Sequence, residues 1–349
     1  MGSIWFCLVA IMLAGYVVLD GFDLGVGALH LWIARNDAER RVLLRSISPV
    51  WDGNEVWLLA AGGTLYFAFP ALYAAGFSGF YLPLMMVLWL LIARGLSVEF
   101  RNHVGGPLWP GFCDAGFALA SMLLAVFYGA ALGNVIRGVP LDAAGRFFEP
   151  LWTNFQPVGQ TGILDWYTIL VGVTALAALA LHGAAWLALK TEGELQERAR
   201  RCASLLWWLV ALFTVVITLV SFHLLPQLRF GFRAHPWGAV FPMIAVAGLL
   251  GIKWFVRERH DAAAFGASCA YLTGMLASAV FSLYPNVLPS NLNPFDGLTV
   301  RNAKAADYGL KIGLLWWLIG MALAACYTIF TYRHFAGKIR AAERDEDGY

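Results

Sequence analysis

The stretch from Ile4 to Ile33, IWFCLVAIMLAGYVVLDGFDLGVGALHLWI, contains no Lys or Arg and two aspartates, Asp20 and Asp23. As a helix rising about 1.5 Å per residue it is long enough to cross roughly 30 Å of hydrocarbon. An acidic side chain at mid-bilayer costs about 2.5–3.5 kcal/mol on insertion scales, so two of them mark a candidate functional site. Their i,i+3 spacing puts both carboxylates on one helix face, turned toward a protein interior or a water-filled path. The first cation in the chain is Arg35, so neither aspartate has a cationic partner on its own helix.

The remaining sequence has the same character. Of 349 residues, 60% are hydrophobic and 13% charged, against about 25% charged in a soluble domain. The expected class is an all-α polytopic membrane protein, forming a single integral membrane domain over 1–349. A net charge of +2 gives no reason to expect a nucleic-acid partner. Fifteen tryptophans suit aromatic belts at two water–lipid interfaces. The cysteines, Cys7, Cys113, Cys202, Cys269 and Cys326, stand singly, which supports neither a disulfide framework nor a zinc or iron–sulfur site. The N-terminal stretch lacks a basic leader and its apolar run exceeds a signal core, so it is expected to be retained as a helix.

Nine apolar segments are expected to span: 4–33, 53–75, 76–98, 112–135, 164–189, 204–225, 238–256, 262–283 and 309–332, with the second and third joined by a tight turn near Ala75-Gly76. One set of segment ends carries seventeen cations. They are Arg35, Arg40, Arg41 and Arg45; Arg94 and Arg101; Lys190, Arg198, Arg200 and Arg201; Lys253, Arg257 and Arg259; and Arg333, Lys338, Arg340 and Arg344. The other set carries six, Arg137, Arg146, Arg229, Arg233, Arg301 and Lys304. The positive-inside bias then places the N-terminus outside and the C-terminus in the cytoplasm, as an odd number of spans requires. No internal repeat is evident, and no connector is long enough for a soluble domain.

With that orientation Asp20 lies near mid-depth and Asp23 almost one turn nearer the cytoplasm. Asp52 and Glu55, again i,i+3, open the second segment, and Arg94, Glu99, Arg101 and His103 close the third. Acids at a cytoplasmic mouth with further acids deeper suit proton uptake, because burial and a nearby arginine pull a carboxylate's proton affinity in opposite directions. The structural alternative is that Asp52 caps its helix and pairs with Arg94. Gly21, Gly25 and Gly27 follow no strand, so they are read as close-packing positions rather than a nucleotide loop. The seven histidines form no i,i+4 pair and no CxxCH; His182 and His223 are read as interface residues rather than axial ligands. Asp114 and Asn134 are candidates for interhelix hydrogen bonding.

Several stretches together resemble subunit II of the cytochrome bd-type quinol oxidases, and more weakly its cyanide-insensitive branch. They are Asp20-Gly-Phe-Asp-Leu-Gly-Val-Gly27, Arg35-Asn-Asp37 with Glu39-Arg-Arg41, Trp51-Asp-Gly-Asn-Glu-Val-Trp57, Tyr73-Ala-Ala75 through Phe77-Ser-Gly-Phe-Tyr81, Gly133-Asn134 before Gly138-Val-Pro140, and Gly193-Glu-Leu195. The resemblance runs in order along nearly the whole chain. It implies nine helices, packed as two four-helix bundles plus one peripheral helix, in a multi-pass subunit of the bacterial inner membrane. It implies no haem ligands in this chain. Haems b and d, or a third haem b, would lie in an obligate partner, subunit I, which oxidises quinol and reduces oxygen to water with cytoplasmic protons. A small single-helix third subunit, lipids and a bound quinone are compatible with it. Residue by residue, Asp20 and Asp52 fall on proton-path positions, Arg94 on a basic residue lining the path, and Trp57 near an oxygen route. Glu55 stands where some relatives carry Gln. The competing reading, a stand-alone proton-coupled transporter, needs a mid-membrane site at broken helices, and no pair of broken segments is visible.

Overall fold

A computed structural model describes residues 1–339. In chain order the helices are α1 (Gly2–Ile33), α2 (Asp37–Ile47), α3 (Trp51–Ala68), α4 (Pro70–Gly79), α5 (Tyr81–Glu99), α6 (Trp109–Arg137), α7 (Trp166–Lys190), α8 (Gly193–Leu224), α9 (Leu228–Ala234), α10 (Val240–Arg257), α11 (Asp261–Leu283) and α12 (Asp307–His334). Between α11 and α12 lies a small antiparallel hairpin, β1 (Asn286–Leu288) and β2 (Leu298–Thr299). Among the described residues eight helices are long and apolar enough to cross a membrane: α1, α5, α6, α7, α8, α10, α11 and α12. Helix α3, 18 residues long, is not one of them, because Asp52, Asn54 and Glu55 occupy its first turns.

The segments expected over 53–75 and 76–98 divide differently. The chain breaks at Phe69, with Pro70 at the start of α4, and again at Phe80 before α5. Proline cannot donate to the preceding turn and its ring clashes with it, so α3 ends at Ala68 and α4 begins as a new helix. The turn expected near Ala75-Gly76 lies inside α4.

Helices α1, α3, α5 and α6 pack as one group, and α7, α8, α10 and α11 as another. The groups meet where α7 lies against both α1 and α6. The α1–α7 seam is close because it runs over glycine: a Cβ on Gly25 would sit 2.0 Å from the Leu179 carbonyl oxygen, and one on Gly183 would lie 2.3 Å from Gly25. Small residues that let backbones approach are the usual means of holding helices together in lipid. The glycines of the first segment therefore serve packing. Helix α12 lies at the edge, with only Leu310 fully buried.

The basic residues gather at one end of the bundle. There α2 is capped by Asn36, whose side chain accepts from the Glu39 amide at 2.9 Å, and it buries Val42, Leu43, Leu44 and Ile47. The Trp186 indole donates to Ser46 at 3.2 Å, and Lys190 donates to the Phe335 carbonyl at 2.6 Å. Arg340 and Arg344, counted with this end, lie outside the described residues. Arg94 and Arg101 were also counted with it but are buried; the asymmetry of charge persists without them. At the opposite end the 138–165 connector and the hairpin interlock. Val139 donates to Pro289 at 3.0 Å and Asn291 to Val139 at 2.9 Å, over a shared core of Leu141, Val287, Leu288 and Leu298.

Candidate functional site

Asp20 on α1 meets Arg94 on α5. One guanidinium nitrogen, Nη1, donates to Oδ2 at 2.9 Å, and Nη2 donates to Oδ1, so the fork of the arginine matches both carboxylate oxygens. The two side chains are 0% and 1% exposed. The cationic partner that the first segment lacked is therefore supplied by a helix some seventy residues later in the chain. The Arg94 guanidinium also lies 6.0 Å from the Trp51 ring centre, a cation–π distance.

Asp23, less than a turn further along α1, is also fully buried. Its Oδ2 accepts from the Asn54 side-chain amide of α3 at 2.8 Å, and Asn54 Oδ1 accepts from the Tyr332 hydroxyl of α12 at 2.8 Å. Oδ1 of Asp23 and Nε of Arg94 have no hydrogen-bond partner among the described residues. One guanidinium thus faces two buried carboxylates, and the site retains unused donor and acceptor capacity. One turn before Asp20, the Tyr16 hydroxyl donates to Tyr128 of α6 at 3.0 Å, continuing the polar face of α1.

Asp52 is not part of this buried group. It is exposed, makes no cap and no ion pair with Arg94, and lines a cleft of about 190 Å³ with Asn54, Thr331 and Tyr332. The alternative in which Asp52 caps α3 and pairs with Arg94 is therefore overturned, since Asp20 already takes the guanidinium. Asn54 forms one wall of this cleft and, on the other side, holds Asp23. Glu55 is half-buried and interacts electrostatically with Arg94, Asp20 and Asp52. Trp57, also half-buried, faces Gly15 of α1, where a Cβ would lie 3.1 Å from its ring.

Asp114 and Asn134 lie at the two ends of α6. Asp114 accepts from Arg101 Nε at 2.7 Å and Arg40 Nη1 at 3.1 Å, and His30 Nε2 lies 2.8 Å from it. Arg101 also reaches Asp37 at 2.5 Å, so this cluster ties α1, α2 and α6 together at the basic end. A carboxylate buried among several donors is well supported, whereas removing its partners would leave an uncompensated charge. His182 has both ring nitrogens engaged, Nδ1 with Ser268 at 2.7 Å and Nε2 with the Val18 carbonyl at 2.9 Å.

At the opposite end, Asn134 donates to Ile163 at 2.9 Å and accepts from Arg137 at 2.7 Å. Arg137 also pairs with Asp165 and with Glu149, the latter at 2.6 Å. Burial pushes the Glu149 carboxyl up, and the Arg137 guanidinium offsets this only in part. The sequence reading missed Glu149, Asp165, Asn54 and Tyr332. Only Asn54 left a signal: Trp51, Asn54, Leu58, Ala61 and Leu65 follow helical spacing, which turns Asn54 toward α1 and Asp52 away from it.

The family model described as cytochrome bd terminal oxidase subunit II matches residues 1–335. The chain is 32% identical over 371 aligned positions to a probable cytochrome oxidase subunit 2 of Haemophilus influenzae, covering 97% of this chain and 95% of that one. It is 33% identical to the cytochrome bd ubiquinol oxidase subunit 2 of Bacillus subtilis, covering 89% and 88% of the two chains. It is 30% identical to the cytochrome bd-I ubiquinol oxidase subunit 2 of Escherichia coli, covering 96% and 94%. Its fold is similar to a chain of the bd oxidase from Geobacillus thermodenitrificans, with a TM-score of 0.75 at 18% identity, covering 96% and 98%.

Proposed function

The chain belongs to the cytochrome bd terminal oxidase subunit II family, and on that premise we propose that it supplies a proton-handling site to a quinol oxidase whose redox centres lie in the partner chain. As a subunit of this kind it is a multi-pass protein of the bacterial inner membrane, part of an oxidoreductase complex that uses haems and quinol, with subunit I as its partner.

The observation that carries the proposal is the unequal charge at mid-bundle: Asp20 and Asp23 are fully buried around the single guanidinium of Arg94. Two carboxylates and one cation are neutral together when they hold one proton. The bidentate pair fixes Arg94 on Asp20, so the exchangeable proton is assigned to Asp23 rather than to Asp20, the position the resemblance implies. Protons would enter at the cleft beside Asp52, on the basic side of the bundle, and reach Asp23 past Asn54. An amide holds a carboxylate in place but does not itself relay a proton readily, so Asn54 would have to turn, or water pass beside it, at each transfer. Glu55 adds a second acid on the approach. This direction of entry takes the basic end as cytoplasmic, on the positive-inside bias.

The partner would dock on the face formed by α3, α5 and α12. Support comes from Asp52, Val56, Leu59 and Tyr66, all exposed along α3. An exposed apolar stripe running away from an acid at the helix mouth suits a partner that covers the stripe and leaves the mouth open. On this reading α3 is the ninth span, polar because a partner covers it, and the oxidase acid line continues into subunit I. The haem-free reading is supported by the histidines. His182 has both nitrogens occupied and His30 is held by Asp114. His182 thus has no ring nitrogen left for a haem iron, and His30 keeps only a buried Nδ1 without a partner among the described residues.

The test is Asp23→Asn in the purified complex, a change that preserves size and the Arg94–Asp20 pair. Quinol:oxygen turnover per haem should fall on the order of 100-fold, the scale lost with a positioned proton donor or acceptor, with haem content unchanged. Normal turnover with normal haem content would defeat the reading.

A further inference from the structure

On the flank formed by α8 and α10, at the basic end, lies a groove of about 450 Å³ lined by Glu197, Arg200, Arg201, Leu205 and Arg259 among others. Its charge is unbalanced. Arg200 is held by Asp261 at 2.6 Å and Glu197 at 2.7 Å, and Arg259 reaches Glu197 at 3.2 Å. Arg201 is exposed and has no ion-pair partner among the described residues. One turn deeper, Lys253 lies over the rings of Trp208 at 3.8 Å and Trp207 at 4.2 Å. In and just below the groove four cations, Arg200, Arg201, Arg259 and Lys253, stand against Glu197 and Asp261, and Arg201 and Lys253 have no ion pair among the described residues.

The groove sits at headgroup depth. The 32 residues of α8 make a rod of about 48 Å, longer than roughly 30 Å of hydrocarbon. Its first turns, Glu194 to Arg201, are charged, and the apolar run begins after Ser204. Below the cations the surface changes to Leu205, 74% exposed, and Trp208, 63% exposed, then Leu212. Guanidinium groups at the water line, an ammonium braced by two indoles, and an apolar track beneath complement a phosphate ester that bears acyl chains. A free anion would leave the apolar track unused, and a soluble acidic peptide could not follow it into the hydrocarbon.

We propose that this groove binds an acidic glycerophospholipid. The phosphate is bonded by Arg201 and by Arg259, whose side chain is 68% exposed and lies 3.2 Å from Glu197, and an acyl chain lies along Leu205, Trp208 and Leu212. Basic pockets between membrane helices recognise such headgroups by charge and level together. The inference needs only the fold and its place in the membrane, so it stands or falls separately from the proton reading.

The experiment uses the intact complex in mild detergent with phosphatidylglycerol carrying a photoreactive acyl chain, followed by peptide mapping. Labelling should fall on the 204–212 stretch of α8 and the facing part of α10. Phosphatidylethanolamine with the same acyl chain should label these peptides several-fold less. Each cation removed should weaken labelling about fivefold, so R201Q with R259Q should nearly abolish it, while R201K with R259K should retain most of it. Excess inorganic phosphate should not compete. Equal labelling by both lipids, full competition by phosphate alone, or no labelling because another subunit covers the groove would each overturn the proposal. If the double glutamine variant fails to assemble, the selectivity of the unaltered complex between the two lipids still decides.

Discussion

At Asp20 one carboxylate takes both prongs of Arg94, and that geometry fixes what substitution of either does. Arg94→Gln leaves a buried aspartate without its cation, a change that costs about 3–5 kcal/mol when a buried pair is broken from one side. The complex should then lose thermal stability and assembled haem. Combining it with Asp20→Asn removes both charges and should recover much of the stability, because the two effects are not additive; a thermal melt of the four complexes checks this. A second prediction concerns Glu149, outside the membrane. Burial holds its carboxyl above the usual value of about 4.3, so the folded cap keeps a proton that the unfolded chain has already released. Its contribution is full below that pH and is lost as pH rises through the raised folded value. Glu149→Gln should therefore raise the melting midpoint near neutral pH and flatten its decline above the usual carboxylate range. These residues differed in legibility. An acid in an apolar run announces itself, so Asp20 and Asp23 were visible from the sequence. Their pairing was not: the resemblance implies Arg94 on the path, but Arg94 comes from another helix, and the sequence offers Asp52 rather than Asp20 as its ion-pair partner.

Among the elements, the α1–α7 seam makes the sharpest demand on sequence. A methyl on Gly25 would stand 2.0 Å from the Leu179 carbonyl oxygen, which belongs to backbone and cannot swing aside. Gly25→Ala must push the helices apart and should destabilise by about 1–3 kcal/mol or more. Gly266→Ala on α11, where no atom lies within 4 Å, should leave the melting midpoint unchanged or slightly raised. The spacing of Gly21, Gly25 and Gly27 made close packing readable, but not which helix would approach. The break at Phe69-Pro70 was missed because the apolar run continues through it, and hydropathy does not register a proline that starts a new helix. Helix α3 is the instructive case. Its polar opening excludes it from the apolar spans, while its inward stripe of Trp51, Asn54 and Ala61 packs on α1.

In the whole molecule, α7 is the most buried of the candidate spans, and the helices around it carry the charge asymmetry, the glycine seam and the buried acids. The all-α membrane class was approachable from the sequence because hydrocarbon thickness acts on whole apolar segments, whereas eight helices rather than the expected nine are apolar enough to span among the described residues. The site was only half legible, because a cleft that opens between α3 and α12 depends on a contact between residues nearly three hundred positions apart, Asn54 and Tyr332. What unites the levels is the claim that Asp23, reached from the basic end, carries protons to the oxidase. The most direct measurement is proton uptake after an oxygen pulse in vesicles of known orientation, with a pH dye on the side bearing α2. Uptake should come from that side, and Asp23→Asn should slow it on the order of 100-fold with the haem spectrum intact. Unchanged uptake in the variant, or uptake from the opposite side, would contradict the account.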